Sequence, residues 1–432
     1  MLGSVPLTPK ALDDYVPVIG AERVAEIRKL AAPLAGARVL HLNATSFGGG
    51  VAEILTTLVP LMNDAGLAAD WQVIRGANEF YSVTKAMHNS LQGMYFDWTP
   101  ELRDVWLRYN RLNAELFDEP YDFVVVHDPQ PAALLASLRE TRPDCANGKW
   151  VWRCHIDLTD AQVQTWDLLK PYLREFDAMI FTMQEYMREP LEGPLPFIVP
   201  PAIDPLSPKN VELPEDTCFA ICERYGIDCR RPFIAQISRF DPWKDPLGVI
   251  EVYRLLKREQ PDLQLVLVAS MAHDDPEGWA WYERTVRRAG EDYDIHILSN
   301  LNGVGNVEVN AFQRANVVIQ KSVREGFGLV VSEALWKGRP VVAGKVGGIP
   351  LQIIDGETGY LVRTTEECAD RVSDLLHDGE LADRMGAAGR EFVRERFLIT
   401  RYLRDYLRIF WTLAGIEAPP IEAPSDRQEV RQ

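Results

Sequence analysis

Pro200-Pro201-Ala202-Ile203-Asp204-Pro205-Leu206-Ser207-Pro208 is the densest proline cluster of the chain. Each proline removes a backbone donor and fixes one dihedral, so the run reads as a stiff hinge between two folded units. Before it, short apolar strands are expected at 38–42, 69–74, 123–126, 150–154, 178–181 and 197–199, with helical patterns between them, for example 51–63, 132–139 and 160–175. After it come strands at 233–237, 265–269, 295–298, 317–319 and 340–343. Strands that are apolar on both faces and alternate with helices predict parallel sheets covered on both sides. The expected fold class is therefore α/β, with two Rossmann-like doubly wound domains and a cleft at the carboxyl ends of their strands.

Residues 1–203 are expected to form one domain and 204–395 a second, with 396–416 a helix able to cross back to the first. Residues 417–432, proline-rich and charged, read as a disordered tail. A chain of 432 residues is too long for one core, and 47% hydrophobic with 25% charged residues is ordinary globular composition. A net charge of −17 and a pI near 5.0 argue against nucleic acid or an anionic membrane as partner. No apolar run has the length of a membrane span, and residues 1–20 lack the pattern of a signal peptide, so a cytoplasmic location is expected. The six cysteines are scattered. Cys218, Cys222 and Cys229 lack the doubled short-spaced pairs of a zinc site and read as reduced core thiols; no metal site is expected.

Two carboxylates bracket Glu325-Gly326-Phe327-Gly328-Leu329-Val330-Val331-Ser332-Glu333, which leads into Ala334 and Leu335. A glycine-containing turn into an apolar helix frees backbone N–H groups that suit an anion. Carboxylates beside such a seat make sense if they accept hydroxyls, as from a ribose diol or a sugar. Phosphate, ribose and sugar together describe a nucleotide-sugar. In the first half, Asn43-Ala44-Thr45-Ser46-Phe47-Gly48-Gly49-Gly50-Val51-Ala52-Glu53 follows a strand and opens a helix. It matches neither the dinucleotide fingerprint nor a P-loop, and Gly48, Gly49 and Gly50 exceed what a tight turn needs.

Ser238-Arg239-Phe240-Asp241-Pro242-Trp243-Lys244-Asp245 is a basic island at a strand's carboxyl end. Arg239 offers a planar fork and Lys244 a point charge, a pair suited to a diphosphate; the alternative is surface pairing with Asp241 and Asp245. His127 with Asp128, and His155, end strands of the first half, where each could bind a sugar or cap its own loop. Lys85, His88, Asn89 and Gln92 share one helical face, which is functional only if that face borders the cleft. Gly347-Gly348 forms another close-approach loop.

Together, the paired glutamates, the Arg239 and Lys244 pair, the Gly347-Gly348 loop and the first glycine loop resemble a retaining glycosyltransferase of the GT-B fold. The longer strings Val83-Thr84-Lys85-Ala86-Met87-His88-Asn89 and His127-Asp128-Pro129-Gln130 are similar to those of the trehalose glycosyltransferring synthases and their relatives, the trehalose phosphorylases. The resemblance covers roughly residues 37–411. It implies transfer of glucose from a nucleoside diphosphate glucose to free glucose, giving α,α-trehalose by a reversible, metal-independent, front-face route. No cofactor is implied, since the nucleotide-sugar is a substrate. By the same resemblance, Arg239, Lys244 and Glu325 are the catalytic set. Gly48, Gly49, Gly50, His155, Gly326, Phe327, Gly328, Leu329 and Glu333 join them around the donor, with Glu333 on the ribose. Asp128, Lys85, His88 and Asn89 take the acceptor.

Rival readings are a phosphorylase of the same fold, a non-catalytic nucleotide or sugar sensor, and an epimerase. Small-molecule substrates are the expected partners, and a homodimer stays open. The base of the donor is also open, because its contacts depend on loop shape near 303–307.

Overall fold

The computed structural model describes residues 2–47, 49–271 and 276–416. Gly48 and the expected tail at 417–432 lie outside the described residues.

Among the described residues, thirteen strands form two sheets. The first contains β1 (Gly3–Ser4), β2 (Arg38–Asn43), β3 (Ala68–Val73), β4 (Phe123–His127), β5 (Lys149–Arg153), β6 (Ala178–Phe181) and β7 (Leu195–Ile198). Their order is β1-β3-β2-β4-β5-β6-β7, parallel throughout except for the two-residue edge strand β1. The second contains β8 (Phe233–Ile237), β9 (Gln264–Ala269), β10 (Ile295–Ser299), β11 (Val317–Gln320), β12 (Val341–Gly344) and β13 (Tyr360–Val362), in the order β10-β9-β8-β11-β12-β13 and wholly parallel. The expected strands are present with their ends shifted by a residue or two. Only β1 and the three-residue β13, too short to show a period, were not expected. The helix expected from residue 160 begins instead at Val163, because Asp157 turns the chain by accepting from the Thr159 N–H at 2.9 Å.

Each sheet alternates its side chains between two cores. On β4, Val124 and Val126 point into one apolar cluster, Phe123 and Val125 into the other. On β9, Val266 and Val268 face one cluster of the second sheet, Leu265 and Leu267 its opposite. In both sheets strand order reverses beside a central strand, between β2 and β4 and between β8 and β11, and such switch points open a crevice at the carboxyl ends. Among the described residues, no helix is long and apolar enough to cross a membrane.

The chain crosses between domains twice, and the crossings pair. Ile203 N–H donates to the Phe397 carbonyl at 2.8 Å, and Ile399 N–H to the Ile203 carbonyl at 2.9 Å. Beyond this contact the helix Ile399–Ala414 returns to the first sheet. Ile399, Tyr402, Leu403, Tyr406, Leu407 and Phe410 form its apolar stripe at helical spacing, and Phe410 stacks on Phe123 with ring centroids 4.4 Å apart. The prolines leave carbonyls without a ladder partner, and Arg401 donates to those of Pro200 and Pro201 at 2.8 and 3.0 Å.

Asp204 anchors the hinge. Its buried carboxylate accepts from Lys10 Nζ at 2.6 Å, Tyr15 hydroxyl at 2.9 Å, Thr57 hydroxyl at 2.9 Å and Leu206 N–H at 2.9 Å. Removing one partner of a buried charged network strands the others. Asp204→Ala is therefore expected to destabilise the protein by about 3 kcal/mol in urea unfolding, with Asp204→Asn less damaging. A loss below about 0.5 kcal/mol, the ordinary surface range, would show that the anchor is dispensable.

Candidate active site

The loops after the four strands flanking the two switch points converge. After β8, Asp241 turns the chain by accepting from Lys244 N–H at 3.0 Å, and the side chains of Arg239 and Lys244 part. Arg239 stays largely exposed, 3.1 Å from Asp241. Lys244 is mostly covered, its side chain 13% exposed, and donates to Glu325 Oε2 at 2.5 Å. Asp245, in the left-handed region at φ 48°, pairs instead with Lys321. The surface pairing weighed for this island thus applies to Arg239 alone.

After β11, Glu325 is 9% exposed, and its Oε2 also accepts from Gln320 at 3.3 Å and Ser322 at 3.2 Å. Its Oε1 meets no donor among the described residues. All three donors therefore gather on one oxygen, leaving the other as an acceptor. The backbone then turns through Gly328 at φ 81° into the helix Leu329–Trp336, whose first N–H groups have no side-chain cap. Gly347 and Gly348 lie against this turn so closely that a Cβ at Gly347 would sit 1.7 Å from the Glu325 carbonyl oxygen, and one at Gly348 2.5 Å from that of Gly326. No side chain fits there.

The first domain reaches the same turn. A Cβ on Gly50 would lie 3.0 Å from Leu329 Cδ1, and one on Gly326 3.2 Å from the His155 carbonyl oxygen. Tyr186, which follows β6, donates its hydroxyl to the carbonyls of Glu325 at 3.0 Å and Gly326 at 2.7 Å. Arg324 pairs with Asp160 across the cleft. On the helix Asn78–Leu91, burial and then the nearby charge of Arg239 push His88 down to about 4, so this face borders the cleft; Lys85 and Asn89 lie on the same helix.

Asp128 holds a left-handed backbone at φ 63°. One of its oxygens accepts from the His155 N–H at 2.8 Å, and its carbonyl accepts from Trp152 at 2.9 Å. Burial raises its carboxyl to about 6, against the opposing effects of the His155 N–H and Arg153. His155 carries the cleft-facing end of a row of three rings: its Nε2 is 3.0 Å from His127 Nδ1, whose Nε2 is 3.0 Å from His41 Nδ1.

Glu333 lies deeper, 2% exposed, accepting from Gln313 at 2.7 Å. Lys209, in the hinge segment, bridges Glu333 at 3.4 Å and Glu53 at 2.6 Å. Burial raises the Glu333 carboxyl, but Lys209 and Lys337 outweigh it and bring it below its ordinary value. Lys337, hydrogen-bonded to Asn210, Gln313 and the Glu333 carbonyl, is pushed by burial down to about 7. Of the expected site residues, Gly49, Gly50, Asp128, His155, Arg239, Lys244, Glu325, Gly326, Phe327, Gly328 and Leu329 gather on the facing loops, whereas the Glu333 carboxylate stands behind them. Tyr186, Lys209 and His41 were not picked out from sequence; nothing local distinguishes the first two, and His41 is masked by its apolar strand. All six cysteines are unpaired.

Burial lowers His41 to about 3 and His88 to about 4, and holds His127 and His155 well below the ordinary value. An unfolded histidine titrates near ~6.5. Below that pH the unfolded chain binds four protons that the folded protein does not, so stability is lost as pH falls. Asp128, raised to about 6, acts oppositely and holds one proton in the folded state. The histidines outnumber it, so stability still falls as pH drops through this range. The urea midpoint is expected to drop steeply between pH ~6.5 and ~5; a flat profile would contradict the neutral burial of these rings.

Residues 41–188 match the family model described as trehalose synthase, N-terminal domain, and residues 220–392 that of glycosyl transferases group 1. The trehalose synthase of Rubrobacter xylanophilus is 54% identical over 412 residues, covering 94% of this chain and 98% of that protein. That of Pyrococcus horikoshii is 48% identical over 409 residues, covering 94% and 97%. Among solved structures, sucrose-phosphate synthase from Thermosynechococcus elongatus superposes with a TM-score of 0.69 over 88% of this chain and 99% of that one, at 17% identity. The architecture is the GT-B fold.

Proposed function

Because the chain belongs to the trehalose synthase family and is a hexosyltransferase, we propose that it moves glucose from a nucleoside diphosphate glucose to free D-glucose, giving α,α-trehalose and the nucleoside diphosphate. The observation that carries this reading is the meeting of both switch points at one turn. A free carboxylate oxygen of Glu325, an uncapped helix start and two cations surround that turn, with the first domain's glycine loop and His155 opposite.

In this reading the donor diphosphate lies against Arg239, Lys244 and the N–H groups from Gly328 onward. Glu325 Oε1 accepts hydroxyls of the transferred glucose. Glu333 takes the ribose after its carboxylate exchanges one of its present donors for a ribose hydroxyl. The acceptor glucose lies between Asp128 and the helix face of Lys85, His88 and Asn89. The bond from the donor anomeric carbon to the phosphate oxygen breaks, and the acceptor's anomeric hydroxyl oxygen bonds to that carbon from the same face. Its proton passes to an oxygen of the departing diphosphate, so configuration is retained and no protein nucleophile is needed. Fixed cations stabilise charge on the leaving group as the bond lengthens, the role that a divalent ion takes in other transferases. The same steps run backward from trehalose and the nucleoside diphosphate.

The test is product analysis by NMR after incubation with UDP-, ADP- or GDP-glucose, with and without glucose, in excess EDTA. Trehalose appearing only with glucose, undiminished by EDTA, is the expected result. No product from any donor, with trehalose consumed by inorganic phosphate instead, would replace the reading with phosphorolysis. Arg239→Ala and Lys244→Ala are each expected to lower kcat about a hundredfold, the first with stability unchanged and the second with some loss of stability, because it leaves the buried Glu325 without its cation. A folded variant retaining most of its activity would remove that residue from the donor site.

A further inference from the structure

His41 on β2, His127 at the end of β4 and His155 just past β5 occupy three adjacent strands. Their rings form a row, with both neighbouring centroid pairs 5.3 Å apart, joined by two nitrogen-to-nitrogen contacts of 3.0 Å. The row starts in the core, where His41 is fully buried beside the Tyr406 ring, and ends at half-buried His155, whose backbone carbonyl lies against Gly326 of the cleft turn. His41 Nε2 has no hydrogen-bond partner. The backbone of His155 is separately held by Asp128, so the ring has a fixed seat.

A neutral imidazole has one N–H and one bare nitrogen, and the bond made by one nitrogen decides the state of the other. Keeping both contacts as hydrogen bonds leaves only two arrangements. Inward polarity runs from His155 Nε2–H to His127 and from His127 Nε2–H to His41, and strands the His41 Nε2–H in the apolar core. Outward polarity runs from His41 Nδ1–H to His127 and from His127 Nδ1–H to His155, and leaves only a lone pair there. Buried orphan N–H groups are rarer than under-satisfied acceptors, so the outward arrangement is favoured.

We propose that His41 and His127 are positioning residues that hold His155 in its Nδ1–H tautomer, so that His155 presents a hydrogen-bond donor to an oxygen of the sugar bound in the cleft. The assignment of that oxygen to a sugar rests on the glycosyl-transfer reading; the tautomer does not. Burial keeps all three rings uncharged at neutral pH, with His155, His41 and Arg153 adding to the depression at His127. A proton-conducting role is not required, because the row acts by orienting one donor.

The test is long-range proton–nitrogen NMR of the unliganded full chain labelled with ¹⁵N-histidine, the rings assigned by single substitutions. All three are expected to show a protonated Nδ1 and a bare Nε2. A protonated Nε2 on His155 overturns the proposal, whether or not the protein makes trehalose. His127→Phe is expected to release the His155 tautomer and lower kcat/KM about tenfold, the scale of one hydrogen bond. His127→Asn, whose amide can donate from the Nδ1 position, is expected to restore both. A His127→Phe variant that loses rate while His155 keeps its Nδ1 proton would show a packing role and reject the positioning one.

Discussion

Burying a carboxylate is unfavourable by several kcal/mol unless a cation and further donors surround it, and this chain buries two at its cleft. Glu325 and Glu333 sit eight residues apart on one turn and helix, and each is answered by a lysine from elsewhere in the chain: Lys244 from the loop after β8, Lys209 from the hinge. Those two demands decide much else. Lys244 leaves Asp241 to the exposed Arg239 and Asp245 to Lys321. Lys209 must stand between Glu333 and Glu53, which ties the hinge to the first turn of the helix that follows the glycine loop. The lysine that answers Glu333 is thus also a tie between the domains, through Glu53, whereas the Lys244–Glu325 pair braces two loops of the second domain.

Close backbone approach supplies the rest of the juncture. The Glu325 and Gly326 carbonyls point at Tyr186 of the first domain and at the Gly347-Gly348 turn of the second. A single methyl group at position 347 would occupy the space of a carbonyl oxygen. The glycines are needed here because two backbones meet, a steric demand distinct from the conformational freedom that serves Gly328 at φ 81°. Tyr186 contributes an apolar ring to the interface and one hydroxyl proton shared between two carbonyls left outside any ladder.

Much of this was legible because it is local. Strands buried on both faces announce parallel sheets, the proline run announces a boundary, and glycines or cations at strand ends mark the crevice. What escaped was non-local. Lys209 reads as one more charge beside prolines until the fold brings Glu333, more than a hundred residues away, within reach. Tyr186 lies in an irregular stretch with no period. His41 occupies an inward strand position where an aliphatic residue would be expected, and only its alignment with His127 and His155 distinguishes it. The two short edge strands escaped for a different reason, since two or three residues carry no alternation. Glu333 illustrates the limit from the other side: spacing located the carboxylate, but spacing contains nothing about its being sealed behind Gln313 and Lys209.

That sealing links hinge to site. Lys209 and Gln313 each hold one oxygen of Glu333, so a group that reaches this carboxylate joins or competes with them, and a shift of Lys209 disturbs Glu53 at the head of the first domain's helix. Any group that engages Glu333 therefore alters an interdomain tie as it binds. Asp204 fixes the other end of the same hinge by four donors drawn from the N-terminal segment, the Gly50–Asp64 helix and the hinge itself. One end of the hinge is thus anchored at Asp204 and the other tied through Lys209, with the two crossings paired at Ile203 and Leu398.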